Sequence, residues 1–183
     1  MKIILFGIMS LFTINCISQN NNELDRRNGF KSIKIGSTLS SFGNQIRFVN
    51  HFTQTNADCY IYDPIDKDLF KIFDLDIQTI LLTFKNNNLV GILLRNTYPK
   101  RNGDYVVKNG LDLVSNLKII FGNQTGIINV NNKYENVRTG AYWGSEKLIL
   151  KCYIEMQNQE DAIDLIISIH DLKYLTNSIN SGF

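Results

Sequence analysis

From Lys147 to His170 the chain alternates between apolar and polar residues, and that pattern constrains the fold more than any other stretch. Leu148, Leu150, Cys152, Ile154 and Met156 are separated by Lys147, Ile149, Lys151, Tyr153, Glu155 and Gln157. After Asn158-Gln159-Glu160-Asp161 the alternation resumes, with Ile163, Leu165, Ile167 and Ile169 set against Asp164, Ile166, Ser168 and His170. A period of two describes strands with one buried face, and the polar link between them reads as a hairpin loop. An isolated hairpin is marginal in water. Its apolar face therefore requires a helix or a second sheet, which the rest of the chain must supply.

A second hairpin is expected from Ile77 to Lys85 and from Leu89 to Arg95, around Asn86-Asn87-Asn88. Both of its strands carry apolar residues on both faces, the pattern of strands inside a sheet covered on two sides. Shorter strands are expected at Phe30 to Gly36, at Asp58 to Tyr62 before Asp63-Pro64, and around Ile127, Ile128 and Val130. Residues 66–76 read as irregular. Thr38 is placed to cap a short helix bearing Leu39, Phe42, Ile46 and Val49. The clearest helix presents Val107, Leu111, Val114, Leu117 and Phe121 as one stripe, with Asp104 or Asn109 as cap, Lys118 near its end and Gly122 as its stop. Gly110 favours the later start. Tyr142 to Glu146 reads as a turn, and Leu172 to Ile179 as a last short helix.

Together these elements predict an α+β fold of antiparallel sheet hairpins with one or two packed helices. Their order is consistent with a tandem duplication, although the halves share no clear sequence identity. The expected organisation is a signal peptide over 1–18, a flexible leader over 19–29, a first α/β-hairpin unit over 30–98 and a second helix-plus-hairpin unit over 104–183. The seam falls at Tyr98-Pro99-Lys100-Arg101-Asn102-Gly103, and both units share one core.

Gly36-Ser37-Thr38-Leu39-Ser40-Ser41-Phe42 resembles the strand-Gly-helix opening of small exported α-β-β modules, the BamE-like outer-membrane lipoproteins and the β-lactamase-inhibitor-protein-like domains. Phe121-Gly122-Asn123-Gln124-Thr125 is similar to the aromatic-Gly-x-x-Thr ending of their helix, with Gln124 where a Pro often stands. The likeness covers the layout of about two-thirds of the chain. It implies protein binding or envelope assembly, and it carries over no catalytic residue.

The chain's address reads from its beginning. Lys2 followed by Ile3 to Ile14 has the charge and apolar run of a secretory signal, with Cys16-Ile17-Ser18 offering small residues for cleavage after Ser18. Export to the periplasm or the medium is expected, with no transmembrane span in the mature form. The alternative is lipid attachment at Cys16, which Thr13-Ile14-Asn15 fits less well. Export leaves Cys59 and Cys152 as an even pair in an oxidising compartment. A disulfide between them is expected to staple the halves, against the rival reading of two buried free thiols.

Composition removes several function classes. The 183 residues are 44% hydrophobic and 20% charged with a formal net charge of +2, and Arg26-Arg27 and Lys100-Arg101 are isolated. No electrostatic footprint for nucleic acid is present. His51 and His170 stand alone without metal-ligand spacing, and no cofactor is expected. Asp63-Pro64-Ile65-Asp66-Lys67-Asp68 lacks the central Gly and terminal Glu of a calcium loop. No nucleophile elbow, P-loop or dinucleotide fingerprint occurs. What remains is a surface set, Tyr142, Trp143 and Arg138 with Tyr60 and Tyr62, whose composition suits a protein interface. The competing reading makes Trp143, the chain's one tryptophan, a core plug. The expected function is a non-catalytic module binding a protein or other macromolecule of the bacterial envelope. The alternatives are an immunity or inhibitor protein against a secreted toxin or hydrolase, and an enzyme.

Overall fold

Asn86 and Asn87 both adopt positive φ, 50° and 63°, which is the geometry of a two-residue hairpin turn matched to strand twist. They join β7 (Thr79–Lys85) to β8 (Asn88–Pro99), the centre of the first half of the molecule. In the computed structural model residues 23–130, 137–156 and 161–175 are described. The expected signal segment, Cys16, the loop residues 157–160 and the tail beyond 175 lie outside them.

Eight strands form one antiparallel sheet in the order β3-β4-β7-β8-β12-β11-β10-β9. Here β3 is Ile46–Phe52, β4 Ala57–Tyr62, β9 Gly126–Val130, β10 Val137–Gly144, β11 Leu148–Met156 and β12 Ala162–Asp171. Two small hairpins lie outside this sheet: β1 (Gly29–Phe30) with β2 (Ile33–Lys34), and β5 (Lys71–Ile72) with β6 (Leu75–Asp76). Each half contributes a helical segment followed by a four-stranded meander. The last strands of the two meanders, β8 and β12, pair from Ala162 opposite Pro99 to His170 opposite Gly91. The expected seam at 98–103 is therefore no break. Tyr98 and Pro99 still belong to β8, and helix α1 (Gly103–Phe121) begins at once after a 3-10 turn over Lys100–Asn102.

Helix α1 covers one face of β8, β12, β11 and β10. Its buried residues are Val106, Gly110, Leu113 and Leu117, so the core-facing stripe is rotated by about one residue from the expected one. Leu117 is common to the two, Val114 and Phe121 are partly buried against the core, and Val107 and Leu111 are exposed. Gly110 sits inside the helix because a Cβ there would stand 3.1 Å from Ile154 Cδ1. Close helix-to-sheet approach, and not helix termination, accounts for that glycine.

The first half covers the same face differently. Residues 39–45 form a 3-10 helix kinked at Gly43 (φ 54°), and Ile46 to Phe52 turns out to be strand. The β-branched Ile46 and Val49 and the aromatic Phe48 and Phe52 favour the extended form, which ends the expected helix early. Phe42 alone of this turn is buried, edge-on to Tyr62 and Phe84 at 5.4 and 5.5 Å. Leu24, Phe30, Ile33 and Ile35 complete the cover. A helical turn over 23–27 thus packs where a flexible leader was expected, and Ser145 Oγ donates to Asp25 Oδ1 at 2.6 Å.

Candidate functional site

The expected aromatic surface is not one surface. Trp143 is 3% exposed and donates from Nε1 to the Gly122 carbonyl at 2.9 Å, tying β10 to the end of α1. It is the core plug, and the binding role expected of it is corrected accordingly. Tyr62 is buried, and Tyr60 stacks edge-on against Phe48 and Phe84 on the covered side of β4. Strands β4 and β10 are five strand spacings apart in the sheet order, roughly 24 Å. Tyr142 and Trp143 lie in β10, not in a turn, so successive side chains take opposite faces. Tyr142 is half-buried and Arg138 is exposed on the face opposite α1.

The expected disulfide is also corrected. Cys59 and Cys152 are free and buried. Their strands, β4 and β11, are four spacings apart, roughly 19 Å, against a reach of about 7 Å for a bridge. The register adds a second obstacle. Cys152 aligns with Ile167, Leu94 and Ile80 on the covered face, whereas Cys59 aligns with Thr83, Gly91 and His170 on the other. Burial pushes the Cys152 thiol up to about 12 and raises that of Cys59.

That other face, distal to α1, collects most of the sheet's charged groups. The pairing register lines up four rows across its centre. The first is Arg138, Glu155, Asp164 and Thr97, and the second is Gly140, Tyr153, Ile166, Arg95 and Thr79. Tyr142, Lys151, Ser168, Leu93 and Leu81 make the third, and Ile149, His170, Gly91, Thr83 and Cys59 the fourth. Along β12 this face is deeply buried, with Asp164 and Ile166 each 3% exposed. The flanking strands present half-buried Tyr153 and Lys151 on one side and Arg95 and Leu93 on the other.

The two carboxylates of this face have partners. Arg138 donates from Nε and Nη2 to Glu155 Oε1 at 2.9 and 2.8 Å, and Thr97 Oγ1 donates to Asp164 Oδ1 at 2.6 Å. Two cations do not. Among the described residues neither Arg95 nor Lys151 has an ion pair or a side-chain hydrogen bond, and Arg95 Nε is fully buried without an acceptor. Burial lowers the Lys151 pKa, with Arg138 adding to the effect, and burial raises that of Tyr153, with Glu155 adding. His170 is held down at about 4, first by burial and then by Lys151, and its Nδ1 is buried without a partner. Gly91 makes room for that ring, since a Cβ there would stand 2.9 Å from His170 Nδ1. Cations kept in a poorly solvated setting beside tyrosines can recognise anionic groups, because an opposite charge brought there is weakly screened.

None of Arg95, Lys151, Tyr153 or His170 stands out in the sequence as a site. Their signal was present as the polar half of the alternation, where each reads as a solvated residue of an outer face.

Other surfaces among the described residues are concave, one of about 500 Å³ beside Arg47, Asp63 and Thr79 among them. A groove of about 320 Å³ runs between Val107, Leu111 and Val114 of α1 and Ile127 of β9, with Cys152 and Ile154 among its lining. Leu111 and Ile127 are 64% and 72% exposed beside it. A polar pocket of about 290 Å³ lies between α1 and the β5–β6 hairpin, walled by Asp74, Asp76, Asp112, Tyr98 and Tyr105. Among the described residues no cluster of three or more His, Cys, Asp or Glu stands ready to hold a metal ion, and no helix is long and apolar enough to cross a membrane. Comparison with protein-family models, with curated proteins and with solved structures finds no match to this chain in any of the three.

Proposed function

We propose that this chain is an exported, non-catalytic module that binds a protein of the bacterial envelope through the distal face of its sheet. One observation carries the reading. Helix α1, the 3-10 turn over Leu39–Gln45 and the N-terminal residues Leu24 to Ile35 all pack on one side of the sheet. The opposite side is left with Tyr142, Tyr153, Arg95, Lys151 and Arg138, and tyrosine and arginine are the residues enriched in protein interfaces and their hot spots. The export part of the proposal rests on Lys2 and the apolar run from Ile3 to Ile14. The repeated order of helical segment and four-stranded meander supports a tandem duplication whose two units grew together through β8 and β12.

Affinity capture from an envelope fraction tests the function, with wild-type protein and a Tyr153→Ala, Leu93→Ser variant as baits. A single protein recovered at one-to-one stoichiometry by the wild type and lost by the variant is the expected result. A hydrolase or toxin in that position makes the module an inhibitor, and outer-membrane machinery makes it an assembly factor. Turnover of a substrate by the purified chain, abolished by one carboxylate substitution, contradicts the proposal.

A further inference from the structure

We infer that the distal face binds two carboxylates of an acidic, extended peptide segment, with Arg95 and Lys151 as the two anchoring cations. The inference rests on the reading that this face docks a protein, and it specifies what the protein presents there. A half-buried cation without a counter-charge is costly to keep, and this face keeps two. The carboxylates nearest them are already committed, Glu155 to Arg138 and Asp164 to Thr97. Among the described residues neither carboxylate makes an ion pair with Arg95 or Lys151, and an anion brought from outside the face can do so.

Geometry selects the kind of anion. Arg95 is on β8 and Lys151 on β11, with β12 between them, so their backbones stand two strand spacings apart, about 10 Å. They are also offset by one row along the strands, since Arg95 pairs with Ile166 and Lys151 with Ser168. One phosphate would have to draw both side chains inward over Ile166. With the offset their backbones stand about 12 Å apart, and acidic residues four positions apart on an extended chain share a face and are spaced by about 13 Å, so that each meets a cation where it stands. Half-buried Leu93 gives the segment an apolar contact, and Tyr153 aligns across the buried Ile166 from Arg95.

The test uses hexaglutamate as probe, measured by titration calorimetry at low ionic strength on the wild type and on Arg95→Met, Lys151→Met and Lys118→Met. Lys118 is an exposed cation on α1 and serves as the control. Hexaglutamate is expected to bind the wild type and K118M alike, to weaken as salt is raised, and to lose about tenfold affinity in R95M and again in K151M. Thermal unfolding supplies a second readout. Removing a desolvated cation that lacks a partner should leave Tm unchanged or raised, whereas a structural role for either residue lowers it. Equal binding by all four proteins, tighter binding of inorganic phosphate than of hexaglutamate, or a lowered Tm in both R95M and K151M overturns the inference. The parent reading fails separately. If R95M/K151M still captures the envelope partner, the face docks a protein without these anchors. If hexaglutamate binding depends on both cations while the wild type captures no protein, the anion site stands and the protein-docking role falls.

Discussion

Acidification should destabilise this protein through His170 before most of its carboxylates matter. The imidazole lies over Gly91, flanked in its row by Ile149 and Thr83, with Lys151 the nearest charge to act on it. Its pKa falls from 6.5 to about 4 on folding. Between those values the unfolded chain binds a proton that the folded chain refuses, so stability rises with pH across the window and is lost as pH falls through it. For a single site with these two pKa values the loss is about 2 kcal/mol at pH 5 and about 3 kcal/mol at pH 4. That is a large share of a typical domain's ~5–15 kcal/mol. Urea denaturation of the wild type and His170→Gln at pH 7.5, 6, 5 and 4 isolates the effect, because every other titrating group cancels in the difference. The gap between the two proteins should shift by about 3 kcal/mol against the wild type between pH 7.5 and 4. Parallel stability curves would refute the buried, neutral imidazole. Lys151→Met should in addition move the midpoint of the shift upward, since Lys151 is the second cause of the depression.

Three further outcomes are expected. Trp143→Phe keeps most of the plug but leaves the Gly122 carbonyl without its donor, at a cost of about 1 kcal/mol in urea denaturation. An unchanged midpoint would show that the tie between β10 and α1 carries no energy. Gly140→Ala should abolish folding, because its Cβ would overlap the Cys152 carbonyl oxygen and crowd Tyr153; a folded variant by circular dichroism contradicts the β10–β11 register. Cys59 and Cys152 should resist alkylation in native protein and both react in denaturant, and reductant should leave Tm unchanged. An intact mass two hydrogens short would restore the disulfide.

The strands were more legible than what covers them. Periodicity in residues 77–95 and 147–170 is a local property, and it placed β7, β8, β11 and β12 within a few residues. The same reasoning could not say that β8 and β12 pair with each other, because edge-to-edge joining of two meanders leaves no local mark. The first turns of the helix stripe were misplaced for a related reason. Val107 and Leu111 are as apolar as Val106 and Leu113, and only the close approach at Gly110 decides which side meets the sheet. Residues 46–52 deceived because their apolar spacing satisfied a helix while their β-branched and aromatic types satisfied a strand. The site suffered most. Tyr60, Tyr62, Tyr142 and Trp143 were grouped by residue type, yet strand order separates the two pairs and alternation separates Tyr142 from Trp143. Arg95, Lys151 and Tyr153 come together only through register across β8, β12 and β11, a long-range relation.

The most direct test of distal-face docking is site-specific photo-crosslinking with a benzophenone side chain at position 153 or at position 111. Tyr153 lies on the distal face, and Leu111 borders the apolar groove on the covered side. In cells making either form, the docking account predicts one discrete adduct from position 153 and none from position 111. An adduct from position 111 with none from position 153 would move the binding surface to the groove beside α1 and contradict it.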